Sequence, residues 1–260
     1  MNILALIPAR MGSSRFPGKP MALILGKAMI GHVYERVARS SLLTMTAVAT
    51  CDQEIFDYIE SIGGKAVMTA DTYERASDRC AEALLKLESE NSIRYDIVVM
   101  VQGDEPMTHP EMIAEAVKPM LDDPSIQVVN LLGEMKDTAE FEDRNCIKVV
   151  CDLNRNAMYF SREAIPTRCK VDTVPMGKQV CIIPFRRDYL LEYTRLAPTP
   201  LEIAESVDMM RVLEHGMKVR MEPTQHASFA VDTPSDLIRV EKFMRESKIT
   251  FGTNEAEDCS

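Results

Sequence analysis

The chain is 260 residues long, 46% hydrophobic and 27% charged, an ordinary composition for a globular protein that can bury a full core. A net charge of −10 argues against a general nucleic-acid binder, and no apolar run approaches the length of a membrane span. Arg10 and Gly12 interrupt the first apolar stretch before it reads as a signal peptide, so the cytoplasm is the expected compartment, with neither nucleic acid nor membrane as partner. Seven cysteines without a C-x-x-C pair, and four histidines (His32, His109, His215, His226) without ligand spacing, point to neither a disulfide framework nor a zinc site.

Asn2 to Ile7 is an apolar run of strand length that Pro8 ends. The loop that follows, A-R-M-G-S-S-R-F-P-G-K-P, combines Gly12 and Gly18 with Arg10, Arg15 and Lys19. Glycines let the backbone approach a ligand, successive amides can form an anion-holding nest, and the cations add positive charge where phosphates lie. It is neither a Walker A motif, because Pro20 follows Gly18-Lys19, nor a G-x-G-x-x-G fingerprint.

A helical stripe over Met29 to Ser40 precedes a strand at Met45 to Ala49, and a helix with Asp52 as N-cap runs to Ile62. Gly63-Gly64 stops it before a strand at Lys65 to Met68. A polar segment, Thr69 to Arg79, leads into a helix from Asp78 to Leu87 with Ser77 as its expected cap. Ile97 to Val101, free of charge, reads as a central strand buried on both faces, and it empties into Q-G-D-E-P, Gln102 to Pro106. Ligands gather beyond the carboxyl ends of strands in open α/β sheets, so this loop and the Arg10 loop are expected to face one crevice. Asp104 offers the carboxylate oxygens that a hard Mg²⁺ ion takes, although locally D-E-P also suffices as a turn before a helix at Pro110 to Leu121.

The second half changes character. Strand-like stretches at Ile126 to Leu131, Cys146 to Cys151, Ala157 to Phe160 and Lys178 to Phe185 come before a long helix over Pro200 to Glu214. Phe229 to Asp232 reads as a short strand ending at a carboxylate, Pro234 opens the last helix, and residues 247–260 are polar. The expected fold is α/β: a doubly wound, mostly parallel sheet with a smaller α+β portion for the second substrate and a homodimer contact. The expected division is 1–125, 126–228, 229–246 and a tail at 247–260, within one domain overall.

Five blocks, Pro8 to Lys19, Thr69 to Arg79, Val101 to Pro106, Tyr159 to Pro166 and Val231 to Leu237, resemble in order the motifs of the CMP-Kdo synthetase family of sugar-acid cytidylyltransferases. The resemblance implies the nucleotide-diphospho-sugar transferase type of fold. The activity it implies is a Mg²⁺-dependent transfer of CMP from CTP to a 3-deoxy-octulosonate-type acid (Kdo), with release of pyrophosphate, in lipopolysaccharide biosynthesis. Carried over residue by residue, it makes Lys19, Arg10 and Asp104 catalytic and Asp104 and Asp232 the metal carboxylates. Ala9, Arg10, Gly12, Ser13, Lys19, Ser77, Arg79 and Gln102 would hold the nucleotide, and Arg15, Gln102, Arg162 and Asp208 the acceptor. The departures lie on the acceptor side. Gln179 to Ile183 stand where the family has H-x-G-I-Y, Asp208-Met209 replace a Glu-Gln pair, and the stretch between Pro166 and Lys178 is short. Gln179, Ile183 and Met209 are thereby expected to form a less polar acceptor pocket, which leaves open a modified octulosonate, a nonulosonate or a phosphonate. Arg75, Ala76 and Ser77 replace the family's Ser, Gly and Thr, which leaves another base open, and a non-catalytic nucleotide-binding protein is the remaining alternative.

Overall fold

In the computed structural model, residues 1–12, 15–135, 138–167, 169–170 and 177–246 are described. The first half runs β1 (Ile3–Ala9), β2 (Leu23–Ile24), β3 (Lys27–Ala28), α1 (Met29–Ala38), β4 (Met45–Thr50), α2 (Gln53–Ser61), β5 (Ala66–Met68), α3 (Ala76–Asn91), β6 (Ile97–Val101) and α4 (Pro110–Asp122). The second runs β7 (Val129–Glu134), α5 (Thr138–Glu142), β8 (Lys148–Cys151), β9 (Ala157–Ser161), β10 (Gly177–Val180), β11 (Ile182–Arg186), α6 (Arg187–Tyr193), α7 (Pro200–Glu205), α8 (Met209–Glu214), β12 (Arg220–Thr224) and α9 (Pro234–Glu246).

The main sheet has the order β11-β6-β1-β4-β5. Its β6–β1, β1–β4 and β4–β5 pairs are parallel, and β11 lies antiparallel against β6. Alternation along β1 explains the layers. Leu4 and Leu6 pack with Leu84 and Leu87 of α3 and Tyr193 of α6, while Ile3, Ala5 and Ile7 pack with Ile30 and Val33 of α1, Ile55 of α2 and Val117 of α4. A strand apolar at every position must be covered on both faces, and burying each Leu or Ile contributes about 1.5–3 kcal/mol. The α/β, doubly wound, mostly parallel fold expected from the sequence is the one observed.

A second sheet, ordered β12-β7-β10-β8-β9, is antiparallel apart from the β12–β7 pair. The stretch Lys178 to Phe185, expected as one strand, divides between the two sheets at Cys181. The Cys181 amide donates to Glu105 Oε1 (3.3 Å) and its carbonyl accepts from Gln102 N (3.1 Å), so both groups leave the ladders.

Other local expectations are corrected. The long helix at Pro200 to Glu214 is two helices, broken where Ser206 takes φ +52°. Arg162 holds that break, Nε donating to Glu205 O (2.6 Å) and NH2 to Ser206 O (3.3 Å). Asp52 holds the N-cap position of α2 as expected, although its carboxylate accepts from Met11 N (2.8 Å) and not from the helix's own amides. Ser77 lies inside α3, whose N-cap position is Arg75. Phe229 to Asp232 forms no strand; Val231 N donates to Asp104 O (2.9 Å), outside any ladder. Residues 247–260 lie outside the described residues.

Candidate active site

β1 and β6 are neighbours and parallel, so the loops at their carboxyl ends open side by side. Close approach there needs glycine: a Cβ on Gly103 would sit 3.2 Å from the Pro8 carbonyl oxygen. Gly18, at φ +72°, turns the basic loop back so that its amide donates to Met11 O (3.0 Å). With Met11 N held by Asp52, the loop is fixed at both ends and delivers Lys19 into the crevice.

Lys19 Nζ lies 2.9 Å from Asp104 Oδ2 and 3.3 Å from Asp232 Oδ1. Arg15 extends the cluster, with NH2 2.9 Å from Asp232 Oδ1 and NH1 donating to Asn145 Oδ1 (2.5 Å). Burial works to lower the Lys19 pKa, but the Asp104 and Asp232 carboxylates together outweigh it and raise it. Two carboxylates converging on one ammonium are an oxygen donor set that suits a hard divalent cation, so these residues fit Mg²⁺.

Around this cluster a cavity of about 710 Å³ runs from Ala9, Arg10 and Gly12 to Arg75, Glu202 and Asp208. Arg79 lines it from α3 but is only 2% exposed. Its guanidinium donates to Thr69 Oγ1 (2.5 Å) and to the carbonyls of Ala70 and Tyr73 (both 3.3 Å), so it shapes the segment ahead of the helix. Ser77 is fully buried and its hydroxyl donates to Asp208 Oδ2 (3.4 Å). Burial pushes the Asp208 carboxyl up, with the Arg75 guanidinium opposing.

Of the predicted residues, Ala9, Arg10, Gly12, Arg15, Lys19, Arg79, Gln102, Asp104 and Asp208 line this one cavity, and Asp232 reaches it through Lys19 and Arg15. Ser13 lies outside the described residues. Arg162 does not line the cavity; besides Glu205 and Ser206 its guanidinium donates to Arg144 O (3.0 Å). The three residues expected to wall the acceptor pocket lie elsewhere. Ile183 and Met209 are buried in the core and Gln179 donates its amide to Asn130 Oδ1 (2.6 Å), so none of the three lines the cavity. Sequence reasoning missed Glu202, which is gripped by Arg211 through two bonds (2.8 and 2.7 Å) and lies 3.2 Å from Arg75. Its signal was the capping box T-P-L-E at Thr199 to Glu202.

A family model described as cytidylyltransferase matches residues 4–219. A 3-deoxy-manno-octulosonate cytidylyltransferase of Geobacter metallireducens is 42% identical over 257 residues, covering 94% of this chain and 99% of that one. One from Syntrophus aciditrophicus is 43% identical over 240 residues, covering 92% and 96%. Among solved structures, a CMP:2-keto-3-deoxy-manno-octonic acid synthetase complexed with CTP superposes with a TM-score of 0.85 at 35% identity, covering 95% of this chain and all of that one. A 4-diphosphocytidyl-2C-methyl-D-erythritol synthase from Anaerococcus prevotii shares the fold alone, with a TM-score of 0.62 at 15% identity.

Proposed function

The chain belongs to the cytidylyltransferase family, and from that premise we propose that it transfers CMP from CTP to a sugar acid of the 3-deoxy-manno-octulosonate type, releasing pyrophosphate. The observation that carries this reading is the meeting of Lys19 and Asp104, from the adjoining ends of β1 and β6, with Asp232 beside a cavity large enough for a nucleotide.

In the reaction, an acceptor hydroxyl attacks the α-phosphorus of CTP and pyrophosphate leaves in line. The chemistry needs positioning and charge neutralisation more than a protein nucleophile. Arg10, exposed at the cavity wall, and Lys19 hold the triphosphate. Gly12, at the cavity wall, leaves the backbone there without a side chain to obstruct the phosphates. Arg79 fixes the segment against which the base lies, and Arg15 supplies a guanidinium fork suited to the acceptor's carboxylate. Asp104 and Asp232 would hold Mg²⁺, which when bound neutralises phosphate charge and acidifies the attacking hydroxyl. The cytoplasm, where CTP is available, is the proposed compartment, and no described helix is long and apolar enough to cross a membrane. A homodimer is the proposed assembly.

Pyrophosphate release with CTP, Mg²⁺ and a panel of sugar acids tests the reading. Turnover with Kdo or a close analogue is expected. No release with any acid, or equal release without acceptor, overturns it.

A further inference from the structure

A cluster of side chains of metal-ligating type forms where α4 begins, outside the cavity. His109 Nδ1 lies 2.8 Å from Glu111 Oε2. The His226 ring stacks on that of His109, with centroids 4.5 Å apart and planes at 14°. His226 Nε2 lies 3.7 Å from Glu115 Oε1, while Glu115 Oε2 is buried without a hydrogen-bond partner among the described residues. One ligand atom each from His109, Glu111 and His226 fall within 4.8 Å of one another.

We propose that His109, His226 and Glu111, with Glu115 beside them, form a binding site for a divalent transition ion of the Zn²⁺ class, separate from the Asp104 and Asp232 pair. Imidazoles combined with carboxylate favour Zn²⁺, Co²⁺ or Ni²⁺, whereas Mg²⁺ takes oxygen alone. Tetrahedral binding at 2.0–2.1 Å brings neighbouring ligand atoms to roughly 3.4 Å. His109 is half-buried and Glu111 exposed, so small side-chain rotations close the remaining gap. The orphaned Glu115 oxygen adds a donor that hydrogen bonding has not consumed. Cluster spacing in sequence gives no hint of this, because the two histidines come from distant segments.

Those segments give the site its consequence. His109 stands five residues after Asp104, and His226 six before Asp232. Near the active site the two are tied by Val231 N on Asp104 O and by the Ser228 hydroxyl on the Glu105 carboxylate. An ion shared by the two imidazoles adds a third tie and stiffens the frame that carries both carboxylates.

The test uses the full chain stripped with chelator, titrated with Co²⁺ under visible absorption and with Zn²⁺ in thermal unfolding. Expected are one equivalent of Co²⁺ at this site with nitrogen–oxygen ligand-field bands, no thiolate charge-transfer band, and a Tm raised by Zn²⁺. His109→Gln and His226→Gln should each weaken binding about tenfold or more, and the pair together should abolish it. A chain carrying Asp104→Asn with Asp232→Asn should keep it. Unchanged metal-free Tm shows that the histidine variants fold; should they not, Glu115→Gln is titrated, with about tenfold weaker Co²⁺ binding expected. Undiminished binding in the histidine pair variant (or in Glu115→Gln if it replaces them), a thiolate band, or loss of binding in the Asp104/Asp232 variant overturns the proposal.

Discussion

Lys19 holds two carboxylates with one ammonium, and together they keep that ammonium charged despite its burial. Lys19→Met leaves Asp104 and Asp232 facing one another without that cation and removes a donor to the triphosphate. We expect kcat/KM to fall about a hundredfold or more, and thermal stability to become more dependent on Mg²⁺ than in the wild type. Steady-state kinetics and unfolding with and without Mg²⁺ check both; unchanged turnover would take Lys19 out of the site. Asp208 gives a pH signature. Burial raises its carboxyl above the ordinary 3.8, so between that value and the raised one the unfolded chain has lost a proton that the folded chain keeps. Stability from this group is therefore greatest at low pH and declines as pH climbs through the window. Asp208→Asn lacks the decline, so its stability relative to wild type should grow from about pH 4 to pH 7 in urea unfolding. A flat difference would mean that Asp208 ionises normally.

At the scale of elements, legibility follows the range of the forces involved. β1 and β6 are readable because a strand buried on both faces must be apolar throughout, and α1 and α4 because their stripes repeat at helical spacing. The meeting of the Arg10 and Asp104 loops follows from two parallel neighbours opening at one edge. What local pattern cannot reveal is where a polar group finds its partner. Asp52 stands at the cap of α2 but its carboxylate is taken by Met11 N, and Cys181 breaks a strand because Glu105 and Gln102 claim its backbone. Ile183 and Met209 occupy family motif positions yet are buried in the core, a placement that motif position alone does not reveal. Arg79 joins α3 to the segment it shapes, and its three acceptors all lie between Thr69 and Tyr73. Arg79→Met strands buried acceptors and should cost about 2–4 kcal/mol. It should also raise the KM for CTP more than it lowers kcat. A KM unchanged beside lost stability would confine Arg79 to the core.

At the scale of the whole molecule, a chain of net charge −10 must bind a polyanion. The field of the protein opposes CTP at long range, and the cations Arg10, Arg15, Lys19, Arg75 and Arg79 that line the crevice oppose that field locally. With Asp104 and Asp232 also present, a bare triphosphate would meet carboxylates, and the proposed divalent ion would turn that repulsion into attraction. Nucleotide binding should therefore depend on Mg²⁺ and on the base together. Binding to the folded state alone contributes RT ln(1 + [L]/Kd), about 2.7 kcal/mol at a hundredfold excess over Kd. For a chain of this size each kcal/mol moves Tm by roughly 2–4 °C, so CTP with Mg²⁺ should raise Tm by about 5–10 °C. CTP with chelator should give a small fraction of that shift, and Asp104→Asn with Asp232→Asn should make the two conditions alike. UTP with Mg²⁺ should fall well short of CTP if, as proposed, the Thr69 to Arg79 segment reads the base. An equal shift with UTP would remove cytosine selection from that segment, and a full shift in chelator would remove the metal from Asp104 and Asp232.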